Sequence, residues 1–298
     1  MNPPLLIGLN LSALAPEAAV EGAQLAEAAG YESVWVGEHV AIVDQPDWWR
    51  TFPGAQGDPQ FCEDMVPFAL RAPWLDPMVM LGALSKATRR VRLGVGVYML
   101  ALRHPVLVAK TLATLDYLSD GRIDFAVGLG WSPDEYAITG NDWRTRGRRT
   151  NEALEVLRVL FEAESPEHHG EFFDFPALSF EPRPRQRPFP VHIGGGGRAA
   201  MQRAVAYGRG WYGSPEAIPE LRSLLTESGR GDEDFQFSTI TTGGPLTHKT
   251  LEDLASRGVH RAVVTPWPGV KSGTVGLDRL DEIELYARKI GVLPGRAR

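Results

Sequence analysis

The chain predicts a closed (β/α)8 barrel, and three observations carry that expectation. Apolar runs of strand length alternate with amphipathic helical stretches, the pattern of a parallel sheet covered by helices. Eight such units follow one another in 298 residues, a length that suits a single barrel domain over 1–298, since barrels of this kind take about 250 residues. The first strand is followed by SALAPEAA, where an open doubly wound sheet would usually carry Gly-x-Gly-x-x-Gly.

The elements read in order. Residues 5–11 (LLIGLNL) form a strand and 16–29 an Ala/Glu-rich helix ending at Gly30. Residues 33–39 (SVWVGEH) form the second strand. The helix over 76–88 opens with Asp76 as N-cap and Pro77 in the first turn. The strand 91–97 (VRLGVGV) leads to a helix over 105–118, closed by Ser119-Asp120-Gly121. The strand 123–130 (IDFAVGLG) precedes the long helix 144–163. Four more strands are expected at 191–195, 210–213, 235–242 and 261–267, with helices at 198–207, 215–227, 247–257 and 277–290. The turn around Asp116, Asp120 and Arg122 belongs to the bottom face of the barrel, a stability region.

Two stretches interrupt the beat. Residues 40–75 are rich in Pro, Trp and Phe; Trp48, Trp49, Phe52, Phe61 and Phe68 would not be left in water, so this segment reads as a lid over the barrel mouth. Residues 164–190 carry a small hairpin (HHGEFFDF) and a Pro-rich return.

Bulk properties exclude several functions. A formal net charge of −6 leaves no electrostatic footprint for nucleic acid or an anionic membrane. No apolar run is long enough to span a bilayer, and MNPPLLIGLNLSALAP lacks the features of a secretory signal. The single cysteine, Cys62, reads as an inert thiol and suits the cytoplasm. No His or Cys spacing suggests a metal site, and no G-x-S-x-G suggests a hydrolase nucleophile.

In a barrel, chemistry sits at the C-terminal strand ends. Four segments stand out there. Gly194-Gly195-Gly196-Gly197-Arg198 carries a strand into a helix; its glycines let a ligand approach the backbone, the helix start offers free amides to an anion, and Arg198 adds charge. We read it as a phosphate clamp; the alternative is a turn that merely needs no Cβ. Glu38 and His39 follow strand two, a carboxylate and an imidazole suited to proton handling or to pairing across the rim. Gly96-Val97 ends strand three, as a bulge or as a small residue in a tight core layer. Gly130-Trp131 follows strand four, where Trp131 either stacks on a planar ligand or packs beneath the lid.

Taken together, AEAAGYESVWVGEHV (26–40), TRRVRLGVGV (88–97), LRHPVLVAKTLATLDYLSDGRIDFAVGLGW (102–131), RGRRTNEALEVLR (146–158), HGEFFDFPALSFEPRPRQRPFPVHIGGGG (169–197) and GRGW (208–211) resemble the luciferase-like monooxygenase superfamily, in particular its coenzyme-F420-dependent oxidoreductases. The resemblance implies Glu38 and His39 at the cofactor's central ring, with Glu where Asp is frequent. It implies a non-prolyl cis peptide at Gly96-Val97 behind that ring, and the cofactor phosphate at Gly195–Arg198. It implies hydride transfer between F420 and a small organic substrate, with His39 handling the proton. The alternatives are reduced FMN supplied by a separate flavin reductase to a two-component monooxygenase, or a flavin-binding protein without catalysis. A homodimer is implied as well. The family's sugar-phosphate dehydrogenases carry a Glu soon after the strand-four glycines; GWSPDEYA has no direct equivalent, which argues against a glucose-6-phosphate-type enzyme.

Overall fold

Runs rich in Val, Ile and Leu with helices between them leave the sheet one way to bury both faces, which is to close on itself with the helices outside. The computed structural model describes residues 4–43, 70, 72–241, 244–268 and 275–292. Its strands β1 (Leu6–Asn10), β2 (Ser33–Val36), β3 (Arg92–Met99), β4 (Ile123–Gly128), β7 (Val191–Gly195), β8 (Gly210–Gly213), β9 (Gln236–Ile240) and β10 (Arg261–Val264) form a closed parallel barrel, β1 pairing with both β2 and β10. The short strands β5 (His168–His169) and β6 (Asp174–Phe175) form an antiparallel hairpin between β4 and β7. Around the barrel lie α1 (Pro16–Ala29), α2 (Pro77–Ala87), α3 (Pro105–Ser119), α4 (Pro133–Ile138), α5 (Arg146–Glu162), α6 (Arg198–Tyr207), α7 (Ile218–Glu227), α8 (His248–Ser256) and α9 (Asp281–Ile290).

Local chemistry sets the element ends. Asp76 caps α2, accepting from Met78 N at 2.9 Å and Val79 N at 3.0 Å. Strand β2 stops at Val36, short of the expected His39, because the Gly37 amide leaves the ladder and donates to Ser12 Oγ at 2.7 Å. Strand β3 runs on to Met99, past the expected Val97, with a register shift between Gly96 and Tyr98. Strand β4 ends at Gly128, before the expected Gly130, and Gly130 turns the chain with φ 70°. The helix α4 was not anticipated, although Pro133 in its first turn and the acidic Asp134 and Glu135 behind it are helix-start signals.

The barrel interior is filled in three levels. At the bottom, Asp124 of β4 accepts from Arg92 Nε at 2.7 Å and Nη2 at 2.9 Å, with Arg261 Nη2 at 3.4 Å and His192 Nε2 at 3.3 Å. Arg261 is also held by Glu32, through Nη2 at 2.6 Å and Nε at 2.8 Å. Above this charged layer Trp35 stacks on Tyr212, with ring centroids 4.8 Å apart, and its indole N–H donates to Ser33 Oγ at 2.8 Å. The indole occupies space that a side chain at Gly94 would need; a Cβ there would lie 2.3 Å from Trp35 Cδ2. Higher still, a Cβ on Gly96 would lie 2.5 Å from Tyr212 Cζ. Gly94 thus fits the close-packed core reading of the strand-three glycines.

The expected hairpin forms and is fastened to α5. Glu152 accepts from the backbone amides of Glu171 at 3.1 Å, Phe172 at 2.9 Å and Phe173 at 2.7 Å. On the bottom face, Arg122 donates to Ser119 O at 2.6 Å, Val91 O at 2.8 Å and Ser85 O at 2.9 Å, and Asp116 accepts from Gln186 N at 2.9 Å and Nε2 at 2.7 Å. Residues 44–69, with Cys62 and most of the expected lid, lie outside the described residues.

Gly94→Ala would drive its methyl into an indole that Ser33 and Tyr212 hold in place. We expect a loss of roughly 1–3 kcal/mol, the usual cost of overpacking a full core, read as a lower urea midpoint at unchanged m-value.

Candidate active site

His39 lies just past β2 at the C-terminal mouth of the barrel, nearly buried at 7% side-chain exposure. Its Nδ1 is 2.9 Å from Glu135 Oε2. Glu135 stands in the first turn of α4, directly after β4, and is fully buried. Its other oxygen, Oε1, accepts from the Val40 amide at 2.7 Å. The imidazole is flanked edge-on by Trp74 at 4.7 Å and by Trp131 at 4.9 Å between ring centroids. Trp131 therefore reaches the mouth beside His39, as the strand-four reading anticipated. The sequence analysis assigned Glu135 no role; the fold brings it to His39.

Glu38 is turned the other way. Its Oε2 accepts from the Met99 amide at 2.5 Å, and its Oε1 lies 2.5 Å from Arg103 Nη2, outside hydrogen-bond geometry. The Arg103 guanidinium rests 4.6 Å from the Tyr98 ring centroid. The carboxylate thus joins the end of β2 to the end of β3 across the rim, while His39 pairs with Glu135. Successive residues of an extended chain point to opposite sides, which separates the two side chains.

The Gly96–Val97 peptide is cis, as the resemblance implied. Val97 wedges between two neighbouring strands: a Cβ on Gly128 would lie 2.3 Å from Val97 Cγ2, and one on Gly194 would lie 2.4 Å from Val97 Cγ1. Gly194 is buried in β7. Its missing side chain is used by Val97. The exposed part of the glycine run starts one residue later, at Gly195.

Gly195, with φ 138°, leads into Gly196 and Gly197, both exposed and with nothing within 4 Å of where a Cβ would stand. Gly197 is the N-cap of α6 and provides no side-chain cap. Arg198 is exposed and pairs with Glu220 of α7 at 3.1 Å. The turn is open to solvent, and no side chain caps the start of α6. Among the described residues no cluster of His, Cys, Asp or Glu could hold a metal ion, and no helix is long and apolar enough to cross a membrane.

Residues 7–257 match the luciferase-like monooxygenase family. The chain belongs to that family. This luciferase-like chain is 31% identical over 250 residues to an uncharacterized protein of Mycobacterium tuberculosis, covering 81% of its own length and 82% of the relative's. It is 28% identical over 259 residues to the F420-dependent glucose-6-phosphate dehydrogenase of Amycolatopsis mediterranei, covering 84% of this chain and 66% of that one. Its fold is similar to that of an F420-dependent secondary alcohol dehydrogenase in complex with an F420-acetone adduct, with a TM-score of 0.76 at 19% identity, covering 97% of this chain and 99% of that one.

Burial pushes Glu38 up to about 7 from an ordinary value of 4.5, overcoming Arg103 and the Met99 amide, which favour the charged form. The folded chain of this luciferase-like protein therefore holds a proton that the unfolded chain has released. The resulting stabilisation is present below 4.5 and is lost as pH rises through about 7. Glu38→Gln should remove this loss. We expect wild type to fall relative to the variant by on the order of 1–3 kcal/mol across that window. Thermal unfolding at stepped pH checks it, and two parallel curves would contradict it.

Proposed function

We propose that this luciferase-like chain is an oxidoreductase that uses coenzyme F420 and moves a hydride between the deazaflavin and a small organic substrate, with His39 handling the accompanying proton. One observation carries the reading. The barrel register brings the His39–Glu135 pair after β2 and β4, the Gly96–Val97 bulge of β3 and the open glycine turn after β7 to one mouth. The F420-dependent relative at 28% identity supports this choice of cofactor over FMN.

The residues present fit such a group. The exposed Gly195–Gly197 turn and the uncapped start of α6 would receive its phosphate, with Arg198 at the rim. Val97, seated against Gly128 and Gly194, offers an apolar wall to a flat ring. When bound, F420 supplies a hydride donor or acceptor at its ring carbon. His39, held by Glu135 between Trp74 and Trp131, takes or gives a proton at its other ring nitrogen. Glu38 acts at one remove: by tying Met99 and Arg103 it fixes where β3 ends. The reading extends to a homodimer working in the cytoplasm on a small molecule.

Gly196 gives a clean test of the proposed phosphate turn, because a Cβ there would have no atom within 4 Å beyond its chain neighbours. Gly196→Val should leave thermal stability unchanged and weaken F420 binding by at least about tenfold, since the backbone must come close to the anion. Titrations of wild type with F420 and with FMN, followed by absorbance, decide the cofactor; tight FMN binding with none for F420 would overturn the choice. His39→Ala should retain F420 and lose roughly a hundredfold in kcat. Unchanged turnover would remove the proton role.

A further inference from the structure

Two bonds to one carboxylate decide which nitrogen of His39 carries its proton. Glu135 Oε1 is spent on the Val40 amide at 2.7 Å, and Oε2 faces His39 Nδ1 at 2.9 Å. An ionised carboxylate only accepts hydrogen bonds. The nitrogen facing it must therefore be a donor. We infer that Glu135 is a positioning residue that holds neutral His39 as the Nδ1–H tautomer and so leaves Nε2 as the ring's accepting nitrogen. The inference rests on the proposed function for what His39 does in turnover, and on the geometry alone for how His39 is held.

The surroundings leave Glu135 free for this task. Charged and titratable groups around the pair include Glu38 beside His39, Arg103 on Glu38, and Asp134 and Tyr136 beside Glu135, with Arg146 and Arg203 acting on Tyr136. Arg103 is taken up by Glu38 at 2.5 Å. Tyr136 donates its hydroxyl to Leu129 O at 2.7 Å and lies edge-on to Trp143. Arg146 rests against Trp143, 3.9 Å from its ring centroid, and donates to Trp143 O at 2.9 Å. Among the described residues, Glu135 is the hydrogen-bond partner of the His39 ring, through Nδ1. The two indoles at 4.7 and 4.9 Å bracket the ring edge-on and restrict its rotation.

Replacing Glu135 by Gln makes a sharp prediction, because the amide keeps the shape and changes the donors. The Val40 amide still needs an acceptor, so the Gln oxygen stays on Val40 and its NH2 group turns to Nδ1. Nδ1 must then accept, and the proton moves to Nε2. The nitrogen available to a substrate proton becomes a donor where it had been an acceptor. No charge is added near the ring and no cavity opens.

The tautomer is read directly, without cofactor, from long-range 1H–15N correlations of the full chain labelled with 15N-histidine, in alkaline buffer. The chain has 7 histidines, and the His39 signals are those missing from His39→Ala. Wild type should show Nδ1–H. Glu135→Gln should show Nε2–H, with kcat lowered about a hundredfold and KM little changed. An Nε2–H ring in wild type, or the same tautomer in both proteins, overturns the inference. The wild-type spectrum decides even if the variant does not fold. A flipped tautomer with unchanged turnover would support the hold exerted by Glu135 and remove the proton role from the proposed function, so the two ideas fail separately.

Discussion

Asp124 is 2% exposed, and the levels above it in the barrel depend on its staying ionised there. Burial works against the charge, but Arg261, the His192 hydrogen bond and Arg92 hold the carboxyl well below the usual carboxylate range. These partners come from β10, β7 and β3, so one side chain on β4 ties four strands together. Taking away Asp124 would leave the Arg261 charge buried without this partner, which typically costs about 3–5 kcal/mol. With this layer fixed, Trp35 and Tyr212 have a floor to stack on, Gly94 and Gly96 become the residues that fit beside them, and Val97 is left as the surface facing the mouth.

The division between the two ends of the barrel follows. The bottom is closed by charges that satisfy one another and by Arg122 and Asp116, which bind backbone and Gln186 across turns. The top is built from pieces that each belong to a different strand: His39 after β2, the bulge in β3, Trp131 and Glu135 after β4, the glycine turn after β7. No loop here works alone. Their relative positions are set by parallel register above the charged lower layer.

Much of this was legible in the sequence because the signals were local. Alternation of apolar runs and helical stretches located all eight barrel strands, and Asp76-Pro77 announced the start of α2. Strand ends were less legible. The chain leaves the sheet at Gly37 because Ser12 offers its amide another partner, and that contact spans 25 positions. Gly194 was read as room for a ligand, and there the room is taken by Val97. No spacing rule separates the two cases, since both require only the absence of a Cβ. Glu135 was the hardest to see. Its partner lies 96 positions away, and its only local mark is that of an acidic residue in the first turn of a short helix.

The hairpin between β4 and β7 is gripped by Glu152 on α5, through three amides of its turn, and β5 and β6 pair only with each other. Behind its tip the hairpin is anchored, with Phe173 and Phe175 buried in the core and Phe173 edge-on to His104 at 5.4 Å. The exposed residues 169–171 at that tip are therefore where added chain length would disturb the barrel least.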